Sequence, residues 1–457
     1  MASRLVCRGC GHVAADRDPY PFTCPRAGDG GDHVLRRVLD YAEVEFPPAG
    51  ADEEPDPYLR YGDLFRACHL AREGGIGEVG YRDIVRRLGD QVLEVDGRRF
   101  EETPFLSHTD LGSAAGLAGG LLVKDETGNV AGSHKARHLF GVLCHLEVAE
   151  ALGLADPDDR PPLAIASCGN AALAAAVLAA AAGRRLAVFV PAGADEVVVD
   201  RLRELGAELH VCARSAGEAG DPTYRALAEA LAAGALPFTC QGNLNGLAVE
   251  GGETLGYEMV SALAREGLVL DHLVVQVGGG ALASSLAAAF EEAKALGVVE
   301  RLPRLHTVQT ESAWPLKRAF DRVVELAEAR GGPSAVASVL SEAPRRRSEL
   351  MWPWETTPRS IAQGILDDET YDWLAVVEAM FASKGRPVVV GEEELERANA
   401  LAAETTGIPV DATGSAGLAG LLRLRREGVV APGDLAAVVF TGARRDRDLE
   451  GGGQRCS

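Results

Sequence analysis

The chain has 457 residues, 47% of them hydrophobic and only 5% aromatic, with a formal net charge of -21 and a mean hydropathy of 0.00. That length holds two or three domains with an ample core. The acidic balance speaks against nucleic acid as a main partner, since a phosphate backbone demands Lys and Arg, and no apolar run reaches membrane-spanning length.

Nine cysteines, odd in number and scattered, fit reduced thiols better than a disulfide framework. The N-terminus, Met1 to Cys7, lacks the apolar core of a signal peptide, so a cytoplasmic location is expected. Cys7-Arg-Gly-Cys10 is a CxxC, and Cys24-Pro follows after a turn-rich stretch. Two thiolates at that spacing reach one tetrahedral zinc ion. A second CxxC is absent, because Ala27 stands where its second Cys would be. The fourth ligand is then His33 or His12, and His33 is preferred because it lies near the second half of the hairpin. Three unrelated thiols are the alternative. A closed site of Cys7, Cys10, Cys24 and His33 would be structural. Phe46 to Pro57, rich in Pro and acid, reads as a linker.

Tyr58 to Leu70 and Tyr81 to Leu88 carry helical spacing, and Glu102 to Leu106 is extended, because the residue before Pro104 avoids the helical region. Leu121 to Asp125 is a short buried strand. A Gly/Asn turn then leads into Gly132-Ser133-His134-Lys135 and a helical pattern. Lys135 falls at the helix start, where the dipole disfavours an ammonium. An amine so placed suits attack on a carbonyl, such as that of an aldehyde cofactor. A solvated Lys on an amphipathic helix is the bland alternative, and this stretch alone does not decide. His134 and His138, four apart, could share a helix face, but carboxylates at ligand spacing are not obvious.

Pro162 to Ala166 is a strand, Ser167-Cys168-Gly169-Asn170 a tight turn, and Ala171 to Ala182 a buried helix of Ala, Leu and Val. Strand, small-residue turn and helix present free backbone amides to an anion, here a substrate carboxylate. Cys168 has no His or carboxylate context for a nucleophile and reads as a small filler. Arg185 to Pro191 and Ala207 to Val211 are strands around a helix from Asp195 to Leu205. This alternation predicts a parallel, doubly wound sheet.

His272 to Val277 is a central strand. Gly278-Gly279-Gly280-Ala281-Leu282 follows, then a helix from about Ala283 to Leu296. Such a loop cradles phosphate on its amides. Gly278, Gly280 and Ala283 also fit a dinucleotide pattern, with Glu311 beyond the next strand as a ribose-binding acid, so a nicotinamide oxidoreductase is a live rival. Ala329 to Thr357, with Arg345-Arg-Arg347 and Trp352-Pro-Trp354, reads as an exposed insertion or substrate-side loop. Glu392 to Glu404 is an amphipathic helix, and Leu418 to Leu424 is another helix behind a polar turn. Leu435 to Thr441 is a strand ending on a hydroxyl and Gly442.

In order, the chain has a Lys in a Gly-Ser-His-Lys turn, Ser-Cys-Gly-Asn before an Ala-rich helix, a triple-Gly loop after a strand, and a late Thr-Gly. Together these resemble the fold-type II pyridoxal phosphate (PLP) enzymes, the tryptophan synthase β-subunit superfamily. Within it the threonine synthase-like branch is most similar, over residues 100 to 446. The resemblance implies an α/β fold of two doubly wound open-sheet lobes with PLP between them. Residues 46–145 with 260–446 would form the large PLP-binding domain, 146–259 the small substrate-side domain, and 447–457 a flexible tail. Residues 1–45 would be the zinc knuckle, which some members of that branch also carry.

By the same resemblance Lys135 holds the cofactor covalently and later shuttles the Cα proton. Asn170 meets the cofactor's phenolic oxygen. Ser167, Cys168, Gly169 and Ala171 hold the substrate carboxylate, and Gly278, Gly279, Gly280, Ala281 and Leu282 the phosphate. Thr441 sits against the pyridine nitrogen, where a hydroxyl leaves the ring a milder electron sink and favours elimination and replacement over transamination. His134 could touch the cofactor phosphate or the substrate. A homodimer acting on a small amino acid is expected. One departure matters: Ala248, in Gln241 to Gly251, replaces the Arg with which threonine synthases grip a substrate phosphate. The reading is a lyase or replacement enzyme for another amino acid with a β or γ leaving group. A PLP-binding relative without catalysis is the further alternative.

Overall fold

The computed structural model describes residues 1–48, 54–213 and 221–445. Two short strands, β1 (Ser3–Cys7) and β2 (Leu35–Leu39), pair antiparallel and frame an N-terminal knuckle. Their alternation turns Leu5, Cys7, Leu35 and Leu39 inward. Arg37 on β2 is buried among Glu253, Glu292 and Tyr257, and this charged contact ties the knuckle to the rest of the chain.

The chain next lays down β3 (Phe105–Ser107) and β4 (Leu121–Asp125). It then leaves to build β5 (Leu163–Ala166), β6 (Leu186–Pro191), β7 (Glu208–Cys212) and β8 (Leu236–Pro237), and returns for β9 (His272–Gln276), β10 (Arg304–Thr310), β11 (Pro387–Val390) and β12 (Ala436–Phe440). The result is an α/β fold with two sheets. One is six-stranded, in the order β11-β10-β9-β12-β4-β3, parallel except for the β3–β4 edge pair. The other is four-stranded and parallel, in the order β7-β6-β5-β8. Strand order reverses at β9 in the first sheet and at β5 in the second, and such reversals open a crevice at the carboxyl ends of the strands. The apolar strands β9 and β12 are buried on both faces, as parallel strands covered by helices must be.

Four helices position the crevice: α1 (Lys135–Ala151), α2 (Asn170–Ala181), α3 (Leu247–Glu266) and α4 (Ala281–Ala295). Helices α1 and α3 cross backbone to backbone. A Cβ on Gly251 would stand 2.3 Å from the Arg137 carbonyl, and one on Gly141 would stand 2.8 Å from the Gly251 Cα, so only glycine fits at either position. Beneath this crossing lies a buried ionic cluster. Lys124 Nζ is 2.5 Å from Glu258, and Arg137 donates to Glu258 at 2.6 Å and to Glu126 at 2.8 Å. Burial alone would raise the Glu258 carboxyl, but Arg137 and Lys124 hold it below its ordinary value. This cluster fixes both ends of the turn between β4 and α1.

Some elements differ from expectation. The helical spacing of Tyr58 to Leu70 is broken into Pro57–Arg60, a tight turn at Gly62–Leu64 and Arg66–Gly74, with Gly62 lying against the Tyr81 ring. Helix α4 starts at Ala281, two residues earlier than its apolar pattern suggests. The expected tail 447–457 lies outside the described residues. Among those residues no helix is long and apolar enough to cross a membrane.

Candidate active site

Strands β9, β12 and β4 are neighbours and parallel, so their carboxyl ends lie at one edge. From that edge β4 runs toward Lys135, β9 into Gly278, and β12 into Thr441. The turn before Lys135 is stitched to the end of β12. Ser133 bridges Gly442, the Ala443 amide donates to Gly132, and the His134 amide donates to the Thr441 carbonyl at 3.1 Å. Ala131 within this turn has φ 55, a left-handed conformation costly for a residue with a Cβ. His134 Nδ1 also lies 3.2 Å from the Thr441 carbonyl. A carbonyl only accepts, so Nδ1 carries the proton and Nε2 is left bare. Burial, and then the charge of Lys135, hold His134 well below its ordinary pKa. His138 is similarly pushed down to about 3 by burial, with its Nδ1 donating to the Ala248 carbonyl.

Lys135 opens α1 and is partly exposed; its Nζ makes no hydrogen bond or ion pair among the described residues. The Cys240 thiol lies 3.9 Å from its carbonyl. Thr441 is held from below by Gln276, whose Nε2 donates to the Thr441 hydroxyl oxygen at 2.9 Å and to the carbonyls of Gly414 and Val439. The Thr441 hydroxyl therefore keeps its own proton to donate elsewhere.

The second sheet faces the same place. Residues Ala166 to Ala171, after β5, are a partly exposed run between a buried strand and a buried helix. The amides of Asn170, Ala171 and Ala172 at the start of α2 have no acceptor among the described residues. Arg445 donates to Asn170 Oδ1, which leaves the Asn170 Nδ2 facing Gly442; a Cβ at Gly442 would come within 2.8 Å of it. Asn170, at the end of the Ser167–Gly169 turn, thus meets Gly442 across the crevice.

The glycine turn is the third wall. Its Gly280 has φ 99 and caps α4. The amides of Gly280, Ala281, Leu282 and Ala283 are buried and have no acceptor among the described residues, which is the arrangement that receives an anion. Gly278 and Gly279 are instead packed under the segment 365–372. A Cβ there would meet the Asp367 carboxylate at 2.2 Å and the Tyr371 ring at 2.8 Å. Thr370 donates to the Gly278 carbonyl and the Asp372 amide to the Gly279 carbonyl.

Asp367 and Asp372 carry no motif in the sequence, where Asp367-Asp368-Glu369 is an ordinary acidic run. Here desolvation pushes the Asp367 carboxyl up to about 6 and that of Asp372 to about 7, each against the opposing charge of Lys135. Gln276 and Arg445 were also missed. Only Gln276 left a signal, a polar residue closing an apolar strand.

Away from the crevice, Cys7, Cys10, Cys24 and His33 converge, with ligand atoms all within 4.8 Å of one another, and could hold a metal ion. His33 Nδ1 lies 3.4 Å from the Cys7 sulfur, while its Nε2 is held by Asp29 at 2.9 Å, so the bare nitrogen faces the thiols. His12 is not part of this group.

A family model described as pyridoxal-phosphate dependent enzyme matches residues 98–442. The chain is similar to the threonine synthase of Methanocaldococcus jannaschii, 25% identical over 439 residues, 95% of this chain and 91% of that one. It is also similar to the cysteate synthase of Methanoregula boonei, 28% identical over 298 residues, 63% of this chain and 62% of that one. Among solved structures it resembles the T.th. threonine deaminase, with a TM-score of 0.55 at 22% identity over 79% of this chain and 98% of that one. At that identity the likeness is one of fold.

Proposed function

Because the chain belongs to the family of pyridoxal-phosphate dependent enzymes, we propose that it eliminates or replaces a substituent at the β or γ carbon of an amino acid, with Lys135 carrying the cofactor and moving the Cα proton. The nicotinamide reading of the Gly278 turn is set aside by the family match, and the Glu311 carboxylate lies against Gly391 on the β11 side.

The observation that carries the reading is the unpartnered amine of Lys135 at the edge where β4, β9 and β12 end. The site fits the cofactor: the orphaned amides from Gly280 to Ala283 suit a phosphate. Bound there, PLP would supply an electron sink for the charge left when the Cα–H bond breaks. Lys135 Nζ would take that proton; a β substituent would then leave with its bonding electrons, and a γ substituent would leave only after a second proton is taken from Cβ. The amides and side chains of Ser167, Cys168, Gly169 and Ala171 bind the substrate carboxylate. Asn170, oriented by Arg445, would offer its Nδ2 to the cofactor's phenolic oxygen, and the Thr441 hydroxyl would donate a hydrogen bond to the pyridine nitrogen. Gly280, Ala281 and Leu282 would receive the phosphate on their amides, with Gly278 and Gly279 shaping the turn and His134 held against the Thr441 carbonyl.

Ala248 is fully buried on α3 and offers no charge to a substrate phosphate, which supports a substrate other than phosphohomoserine. The purified protein with PLP is expected to show a visible absorbance band that Lys135→Ala abolishes, and to release ammonia or a 2-oxo acid from a member of an amino-acid panel. Efficient conversion of phosphohomoserine to threonine would refute the altered substrate. Bound PLP with no turnover across the panel would favour a non-catalytic relative.

The cluster of Cys7, Cys10, Cys24 and His33 is proposed as a structural zinc site, since four N and S ligands leave no open position. Elemental analysis should find about one zinc per chain, sharply reduced in Cys24→Ser.

A further inference from the structure

The chain between β1 and β2 carries Cys10, Cys24 and His33 but forms no helix or strand, and residues 25–30 within it are exposed. Turns and isolated backbone bonds are what hold this loop within the knuckle. Four side chains gathered on one metal ion would be its main cross-link.

The loop reaches the glycine turn through Asp32, the residue before His33. Asp32 is buried. Its carboxylate accepts from Trp373 Nε1 at 3.2 Å and lies 3.7 Å from the Arg347 guanidinium, and its amide donates to the Pro344 carbonyl at 2.8 Å. On its other side, the Asp32 carbonyl packs on Gly9, between Cys7 and Cys10, where no Cβ would fit. Arg8 in the same CxxC pairs with Glu378. Trp373 is fully buried and opens the helix Trp373–Ser383, which carries Glu378.

Immediately before that helix, the Asp372 amide donates to the Gly279 carbonyl at 3.0 Å, and the Thr370 hydroxyl donates to the Gly278 carbonyl at 2.9 Å. The Gly279 carbonyl and the Gly280 amide belong to one rigid peptide plane. The bond from Asp372 therefore aims the first of the orphaned amides that suit a phosphate. The route from a metal ligand to that amide is short: His33, Asp32, Trp373, Asp372, Gly279.

We propose that a metal ion at Cys7, Cys10, Cys24 and His33 tightens the hold on the cofactor phosphate, with Asp32 and the Trp373 indole as the positioning link. The proposal rests on the readings of that cluster as a metal site and of the glycine turn as the phosphate seat, and it gives the knuckle a task beyond its own stability. With the metal gone, Asp32 loses its fixed place, the helix start at Trp373 loosens, and the Gly280 amide loses its aim.

Dissociation constants for PLP are to be measured from the Lys135-dependent absorbance band, on the whole chain loaded with Zn²⁺ and after chelation, with circular dichroism to follow the fold. Chelation should weaken PLP binding about 10-fold or more, and by linkage PLP should tighten Zn²⁺ by the same factor. Trp373→Phe keeps a ring and loses the N–H donor. It should retain its zinc, bind PLP about 5-fold more weakly, and lose most of the effect of chelation. Asp32→Ala cuts the same link from the knuckle side, without a change at Trp373, and should behave alike. An unchanged PLP affinity after chelation overturns the proposal, as does a chelation effect in both variants equal to that in the unmodified chain, because a knuckle that merely supports the fold would act without this link. Absence of zinc from the unmodified protein would instead overturn the metal reading, and absence of the absorbance band the cofactor reading.

Discussion

Gln276 shows how one side chain can set the behaviour of another. Its amide spans Thr441 and two backbone carbonyls. Gln276→Met should leave the Gly414 and Val439 carbonyls unpaired, at a cost of about 1–3 kcal/mol in denaturant unfolding. It should also free the Thr441 hydroxyl to rotate, shifting the cofactor absorbance in the same sense as Thr441→Val; an unmoved band would show that Gln276 only fills space. Lys135 and the glycine turn stand out in the sequence as candidates because each is a special residue type beyond a strand, whereas Asn170 and Thr441 enter as candidates through the family resemblance. Gln276 and Asp367 stand out in neither way. Their partners lie 165 and 88 residues away in the chain (Thr441 and Gly279), and neither separation leaves a local mark.

At the scale of elements, the strands β4, β5, β6, β7, β9, β10 and β12 could be read from apolar runs bounded by turns. Helix α3 could not. It is buried from Leu247 to Leu263, so the alternation of wet and dry faces that betrays a surface helix is missing. The same burial makes its charges demanding. Glu258 on α3 is the shared acceptor of Lys124 and Arg137, both buried. Glu258→Leu should cost about 3–5 kcal/mol, because buried Lys124 loses its carboxylate partner and Arg137 keeps only Glu126. Gly251→Ala should also be destabilising, by about 1–3 kcal/mol, since α1 and α3 would have to separate. Melting temperatures of the two variants test these expectations; a wild-type value for Gly251→Ala would mean that the crossing is looser than its distances show.

At the scale of the whole molecule, histidines set the response to acid. Burial holds His69 down to about 4 and His138, His145 and His306 to about 3. The unfolded chain takes up these protons below about 6.5, while the folded chain does not. Their contribution to stability is complete above that pH and is lost as pH falls toward 4. Asp56 and Asp372, raised by desolvation to about 7, act in the opposite direction over the same range. His145→Gln should therefore lose less melting temperature between pH 6.5 and 4 than the unmodified protein; an equal loss would exclude His145 as a contributor. The strand order has a further consequence. β12 is the last strand among the described residues to be synthesised, yet it lies between β9 and β4. The four-stranded sheet has all its strands by residue 237 and can assemble while the chain is still emerging from the ribosome. The six-stranded sheet must wait with its centre vacant until residue 440 is available. A chain that stops before residue 436 would thus lose far more than an end, and would leave the apolar strands β4 and β9 open to the wrong neighbours.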